Sequence, residues 1–576
     1  MNQIKVFPTP IKSEGDKKEY RLIQLPNKVK ALLISSASTS SDAADNENLA
    51  AANITINVGS YDNPPKVLGL AHFLEHMVHM GSEKYPGESS YYDFLAANGG
   101  KRNALTASEY TSYYFGVSEN AFPEAVDRLE QLIEKPLLVR SAMQREREAV
   151  DSEYELKKSI DAVRLESIMK TLVRDGHQAG LFDFGNLKTL KDDITDDDLH
   201  SELMKFHKRY VGNKIVVAVQ SKRTLDELQA IVISSFSSIE SGVDEGDKQP
   251  HNTNDIFKPE FHEKIYFLKP KTAKNVFTMT WIVPSAYPHY KCSPLDYVSS
   301  IISNEGEGGI ATYLKEKHLI TSIGTYSDTN TVFTAFKLYG DLTKLGSKNI
   351  EKVLEAIFDY LLMIKETPMS EHRRVYADLV ERTKLEYNLH QESAPMSNIQ
   401  NVTKNLLFFD DIDAVRGESI YQKFDEKSIV DYIDALSQRK FSLTFLLENH
   451  ENYDMREKYF GTEYSVESFP EAYQRLWDER KLNPAFHIEK PNPFKPSNLE
   501  IFKNDQESPV MFKLLTSGHR SIFDVISFHF QDFPVKIYEN LNITAWHKLD
   551  KKFQRPHVHF KIQMNSTSVS TLKEWV

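Results

Sequence analysis

The chain has 576 residues, 40% hydrophobic and 11% aromatic, enough for substantial cores and too long for one ordinary domain. Its 70 basic against 82 acidic residues leave a net charge of −12, which excludes a nucleic-acid footprint and favours a cationic substrate over a polyanion. The single cysteine, Cys292, excludes a disulfide framework within the chain, suits a reducing compartment and reads as a small packed residue.

Residues 1–17 read as an N-terminal extension. "MNQIKVFPTPIKSEGDKKEY" has neither the apolar core of a signal peptide nor the Arg/Ser-rich, acid-poor pattern of a transit peptide. No later run reaches the ~18 apolar residues of a membrane span, so the expectation is a cytoplasmic protein without membrane or nucleic-acid partners.

A first block, 18–240, alternates strands with helices. "SSASTSSDAADNEN" (35–48) is small, polar and acidic, and is expected to be a disordered loop between two early strands. "NITINVG" carries Ile54, Ile56 and Val58 at period two, the pattern of a half-buried strand. "SAMQREREAVDSEYELKKSIDAVRLESIMKTLV" lacks Gly and Pro and predicts one long helix. "KIVVAVQ" (214–220) predicts a buried closing strand. Residues 241–258, polar with Gly and Pro, predict a linker.

A second block, 259–495, opens with strand-like "KIYFL" and "FTMTWIV", continues through "VFTAFKLYGDL" to helical "NIEKVLEAIFDYLLMIK" and "EHRRVYADLVERTKLEYNLH", and closes on "FSLTFLL". The order of elements resembles that of the first block, a hint of duplication. "EKPNPFKPSN" marks its end. Residues 496–576 are then expected to hold an interdomain linker and the truncated start of a third domain, with a strand pair in "WHKLDKKFQRPHVHFKIQM".

The chemistry concentrates in "GLAHFLEHMVHMGS" (69–82). On a helix His72, Glu75 and His76 share one face within about a turn. Two neutral imidazoles at that spacing can grip one Zn²⁺, leaving the carboxylate beside a metal-bound water. This is H-x-x-E-H, the inverted form of the commoner metallopeptidase motif. A catalytic zinc site needs a third protein ligand, and "REREAVDSEYE" (145–155) offers Glu146 and Glu153 on one helical stripe with Val150. One of these carboxylates can bind the metal while the other orients a ligand histidine.

"GLAHFLEHMVHMGSEKYP", "NALT", "YTSYYFGV" and "REREAVDSEYE" together resemble the family of insulin-degrading enzyme, pitrilysin and nardilysin; "GHQAGLFDFGNLKTL" and "VVAVQSKRTLDEL" resemble its nardilysin branch. Glu153 stands 77 residues beyond His76, the family's spacing. The resemblance implies an α+β fold of two homologous α/β-sandwich domains, a pitrilysin-like half-clamshell corresponding to the amino-terminal half of longer relatives. It implies a zinc endopeptidase, with His72, His76 and Glu153 as ligands of one Zn²⁺, Glu75 as general base and Glu146 behind the ligands. By the same likeness Asn103 and Ala104 lie on the strand edge that binds extended peptide. Glu305 and the strand near Ile323 to Thr325 lie where relatives anchor a peptide's amino terminus.

"SNEGEGGIATYLKEK" is expected in the place of the motif helix of a non-catalytic second copy. With the opposite half missing, the partners expected are peptides and either a second copy or a carboxy-terminal half supplied in trans. The alternative is a truncated, non-catalytic zinc- and peptide-binding half. Nardilysin's acidic insertion is reduced here to the 35–48 segment, and cleavage at basic residues is retained as an expectation. His79 reads as a packed residue or a support to the ligands, His557 and His559 as strand surface, and the terminal "EWV" as a chance ending.

Overall fold

The structure is a computed structural model that describes residues 3–37, 49–243, 256–390, 393–419, 421–492, 535–539 and 544–547. The chain divides into two compact units, Met1–Lys384 with Ser393–Pro491, and Leu385–Glu392 with Asn492–Val576. The larger unit holds two seven-stranded sheets, one per lobe.

The strands of the first lobe are β1 (Lys5–Val6), β2 (Glu19–Gln24), β3 (Lys30–Ser35), β4 (Leu49–Ile56), β5 (Lys101–Thr106), β6 (Thr111–Ser118) and β7 (Ile215–Ser221). They lie in the order β1-β2-β3-β7-β4-β6-β5, with β3 and β7 parallel and every other pair antiparallel. β7, rich in β-branched residues, is buried along its whole length, as its apolar run predicts. The helices are α1 (Leu70–Val78), α2 (Ser90–Ala97), α3 (Phe122–Glu134), α4 (Arg140–Lys157), α5 (Asp161–Thr171), α6 (Asp196–His207) and α7 (Leu225–Phe236).

The second lobe repeats this plan. Its strands are β8 (Lys264–Leu268), β9 (Val276–Pro284), β10 (Ile320–Thr329), β11 (Phe333–Leu342), β12 (Phe441–Leu446), β13 (Met455–Arg456) and β14 (Glu463–Ser468). Their order is β10-β11-β9-β12-β8-β14-β13, with only β8 and β12 parallel. Read from the opposite edge, the core β8-β12-β9-β11-β10 matches β3-β7-β4-β6-β5 in order and in sense of pairing. The flanking strands differ in origin: β2 precedes the first core in the chain, whereas β14 follows the second. The helices are α8 (Pro294–Ile302), α9 (Ile310–Glu316), α10 (Ile350–Glu366), α11 (Met369–Asn388), α12 (Pro395–Phe408), α13 (Glu426–Leu436) and α14 (Glu471–Asp478).

Three expectations change here. The long helix over 141–173 is two helices, broken where Ile160 takes an extended conformation (φ −98, ψ 111). Beyond the break Ile168 and Met169 of α5 pack with Phe261, Tyr266 and Leu268, so burial against the second lobe outweighs the local preference for a straight helix. β4 is buried on both faces, not half-buried, because Ile399, Val402 and Leu406 of α12 cover the side of the first sheet that also carries Leu22, Leu32, Ala51 and Ala218. The helix in the motif helix's place is α8, since both follow a short 3-10 turn after the equivalent strand; "SNEGEGGIATYLKEK" supplies the next loop and α9 instead.

In the smaller unit β15 (Val535–Glu539) and β16 (Thr544–His547) pair antiparallel. Residues 38–48, His557, His559 and the terminal "EWV" lie outside the described residues, as does most of the strand pair expected over 546–564. Among the described residues, no helix is long and apolar enough to cross a membrane.

Candidate metal centre and active site

α1 is anchored by its apolar side. Phe73, Leu74, Met77 and Val78 are fully buried in the first core, each worth about 1.5–3 kcal/mol relative to exposure. The i, i+3, i+4 pattern then turns His72, Glu75 and His76 toward α4 and β5. The helix begins at Gly69 in the left-handed region (φ 84, ψ 11), and a Cβ there would stand 2.2 Å from the Cα of Gly185. Two chain segments thus touch backbone to backbone, which only glycine permits.

That close approach orients His72. The Phe184 carbonyl, one residue before Gly185, lies 2.7 Å from His72 Nδ1. With Nδ1–H donating there, the tautomer is fixed and the Nε2 lone pair is left free. His72 Nε2 stands 3.5 Å from one oxygen of Glu153, and His76 Nε2 stands 3.6 Å from the other. His76 Nδ1 is held by Glu146, 3.5 Å away. The two rings cross at 83° with centroids 5.0 Å apart. One ligand atom from each of His72, His76 and Glu153 falls within a 4.8 Å sphere of mutual distances, a group able to hold a metal ion. Two imidazole nitrogens and one carboxylate oxygen suit a borderline divalent cation such as zinc, with the Phe184 carbonyl behind one ring and the Glu146 carboxylate behind the other.

Electrostatics follow from this crowding. Burial pushes His72 down, but Glu153, Glu75 and the Phe184 carbonyl outweigh it and hold the ring above its ordinary value. The His72 ring in turn holds Glu153 below the usual carboxylate range. Burial pushes Glu146 up, yet His76 and Arg145 together hold it below. His79 is different: it is buried against Tyr91 and Tyr113, its Nδ1 is 3.0 Å from the Glu75 carbonyl, and burial pushes it down to about 3. It is a neutral packed residue, as one of its two sequence readings has it.

Glu75 is buried, and its Oε2 accepts a 2.6 Å hydrogen bond from the Thr106 hydroxyl at the end of β5. β5 is the edge of its sheet, pairing with β6 alone among the described strands, and Asn103 and Ala104 lie on it. The Asn103 side chain accepts from the Ala104 N–H at 3.0 Å, so that edge donor is already engaged. Glu305 is not part of the cluster; it sits in the loop between α8 and α9 and pairs with Lys315 at 2.7 Å. Ile323 to Thr325 lie on β10, the matching edge of the second sheet.

Sequence reasoning missed Thr106, Phe184, Gly69 and Gly185 as parts of the site. The second lobe also braces it. Tyr154 of α4 donates to the Tyr459 carbonyl, and Phe182 stacks on the Tyr459 ring at 4.2 Å.

The sequence matches three profiles of one peptidase family. Residues 39–181 match insulinase (peptidase family M16), 198–376 the peptidase M16 inactive domain, and 387–576 the middle or third domain of peptidase M16. The chain belongs to peptidase family M16. It is 31% identical to nardilysin of Mus musculus, over 90% of this chain and 44% of that protein. It is 29% identical to the peroxisomal insulin-degrading enzyme-like 1 of Arabidopsis thaliana, over 96% of this chain and 54% of that protein. The crystal structure of pitrilysin shares the fold, with a TM-score of 0.79 and 21% identity over 96% of this chain and 55% of that one. The M16 chain described here therefore spans about half the length of the curated relatives it matches.

Proposed function

We propose that the chain is a zinc-dependent endopeptidase, carried by one observation: His72, His76 and Glu153 converge while Glu75, held by Thr106, stands beside them next to an open strand edge. His72 and His76 would present Nε2, and Glu153 a carboxylate oxygen, to the ion. Bound there, zinc supplies Lewis acidity toward a peptide carbonyl and the means to activate water near neutral pH.

The other steps belong to the chain. β5 offers backbone groups to an extended peptide, with Asn103 and Ala104 at the edge, once the Asn103 side chain yields the Ala104 N–H. Thr106 leaves Glu75 Oε1 free to take a proton from the attacking water and give it to the departing amine. Glu146 keeps His76 oriented. The net charge of −12 favours peptides with basic residues, and the single cysteine suits a cytosolic setting. The second lobe, whose α8 carries no H-x-x-E-H, takes the non-catalytic part, with β10 and Glu305 as further peptide contacts.

The test is cleavage of a basic peptide by this chain loaded with zinc, followed by mass spectrometry beside Glu75→Gln. Cleavage by the wild type alone supports the proposal, and cleavage surviving in Glu75→Gln sinks the mechanism. A second reading is favoured by the length relative to relatives: a zinc- and peptide-binding half that turns over only with a second copy or a carboxy-terminal half. Zinc bound without cleavage, with activity on adding that half, would select it.

A further inference from the structure

A second set of metal-donor side chains lies in the other lobe. His289 ends the short turn Tyr287–His289, Cys292 follows three residues later just before α8, and Asp425 immediately precedes α13. One ligand atom from each lies within 4.8 Å of the others, the limit that also contains the motif cluster. No M16 motif read from the sequence includes these residues.

The group is held in place by its surroundings. His289's carbonyl accepts from the backbone N–H of both Cys292 (3.0 Å) and Ser293 (2.8 Å), which closes the turn. The Tyr376 hydroxyl lies 2.9 Å from the carbonyls of both Cys292 and Lys423, tying the segment that carries the thiol to the one that leads into Asp425. Ser428 orients the other two: its hydroxyl is 3.0 Å from His289 Nδ1, and its backbone N–H donates to Asp425 Oδ1 at 3.4 Å. The Tyr432 ring stands edge-on to the imidazole at 5.8 Å. Cys292 is 4% exposed, and its thiol donates only weakly, to the His289 carbonyl at 3.3 Å.

We propose that His289, Cys292 and Asp425 form a second metal site, one for a thiophilic divalent cation of the zinc class. A thiolate, an imidazole and a carboxylate together match zinc or cobalt and discriminate against magnesium and calcium, which take oxygen ligands. On binding, the S–H bond breaks, the sulfur's electron pair goes to the metal and the proton leaves to solvent. The dication then balances the buried thiolate and the half-buried carboxylate, which otherwise lie close together. The site clamps the turn before α8 to the start of α13, so its occupancy would stiffen the second lobe and leave the chemistry of α1 to the first.

The single cysteine makes the test clean. The 576-residue chain carrying His72→Ala, with the motif cluster disabled, is stripped of metal and titrated with Co²⁺. The proposal expects a thiolate-to-cobalt charge-transfer band in the near ultraviolet that saturates at one equivalent and is lost in His72→Ala carrying Cys292→Ser. No band in the parent chain overturns it. A second measurement needs no change at the site: alkylation of Cys292 in the His72→Ala chain, with and without Zn²⁺, should slow by about tenfold or more on adding zinc. An unchanged rate overturns the proposal, and Mg²⁺ serves as the cation that should not protect. Both readouts are independent of peptide cleavage, so they stand or fall apart from the function proposed for α1.

Discussion

The two lobes share a five-strand core, yet only the first arms the helix that follows its central strand. Counted from the start of each helix, His72, Glu75 and His76 of α1 correspond to Asp296, Ser299 and Ser300 of α8. Both helices begin after a residue in the left-handed region, Gly69 at φ 84 and Ser293 at φ 38. Glu75 accepts from Thr106 on edge strand β5, and Ser299 meets Thr325 on edge strand β10 in the same way. The scaffold, down to a helix-to-edge hydrogen bond, is therefore indifferent to the chemistry. A handful of side chains on one helix face, plus Glu153 from α4, make the difference.

The strongest challenge to that contrast is to disarm the first lobe. His72→Ala should lose the metal equivalent proposed for α1 and α4 and all cleavage, checked by elemental analysis and peptide mass spectrometry. Glu75→Gln should keep that equivalent and lose about a hundred- to ten-thousandfold in kcat. Cleavage persisting in either chain would move the chemistry elsewhere. Next in size, Gly69→Ala should cost at least about 3 kcal/mol in urea unfolding, because its Cβ strikes Gly185 and the left-handed conformation disfavours it. Ser293→Gly, at the matching start of α8, should shift stability by less than about 1 kcal/mol.

A third contrast lies in buried acids. Glu130 on α3 is fully buried with Oε1 lacking a partner, and burial pushes it from 4.5 up to about 8. Asp359 on α10, the helix that follows the equivalent strand, is also pushed up by burial but accepts the Lys481 N–H at 2.9 Å. A raised carboxyl binds its proton more tightly in the folded state. From pH 4.5 to about 8 the unfolded chain therefore holds fewer protons than the folded one, and stability falls as pH rises, levelling off above 8. Glu130→Gln should remove this penalty, gaining about 3–5 kcal/mol at pH 8 over its effect at pH 4 in unfolding titrations. Asp359→Asn should show a smaller pH dependence. Smallest of all, Thr106→Val should lower kcat about tenfold with metal content unchanged, while Ser299→Ala on the second lobe leaves cleavage untouched.

What was legible in the sequence was local. The face shared by His72, Glu75 and His76 follows from helical spacing, and the apolar runs of β7, β8, β9 and β12 stand where they were expected. What escaped depends on distant segments meeting. Nothing near Phe184 announces that its carbonyl will fix His72, and Gly185 matters only because Gly69 lies against it. α8 escaped because "PLDYVSSII" is short and rich in β-branched residues, so neither period is clear. The break before α5 is set by packing partners more than ninety residues away in the chain. The donor set at His289, Cys292 and Asp425 was hidden for the same reason, with its third member more than a hundred residues from the others.

The seat of α12 on the back of the first sheet bears on how such a chain can be cut. Tyr20, Leu22, Leu32, Ile34, Val216 and Ala218 find their cover in Ile399, Val402 and Leu406, and Asn53 donates to Thr403 across the same seam at 2.6 Å. A fragment ended at residue 240 would keep every proposed metal ligand yet bare a greasy wall, and would be expected to clump rather than fold. The smallest autonomous piece of this fold is thus set by a helix far from the His72, His76 and Glu153 cluster in the sequence.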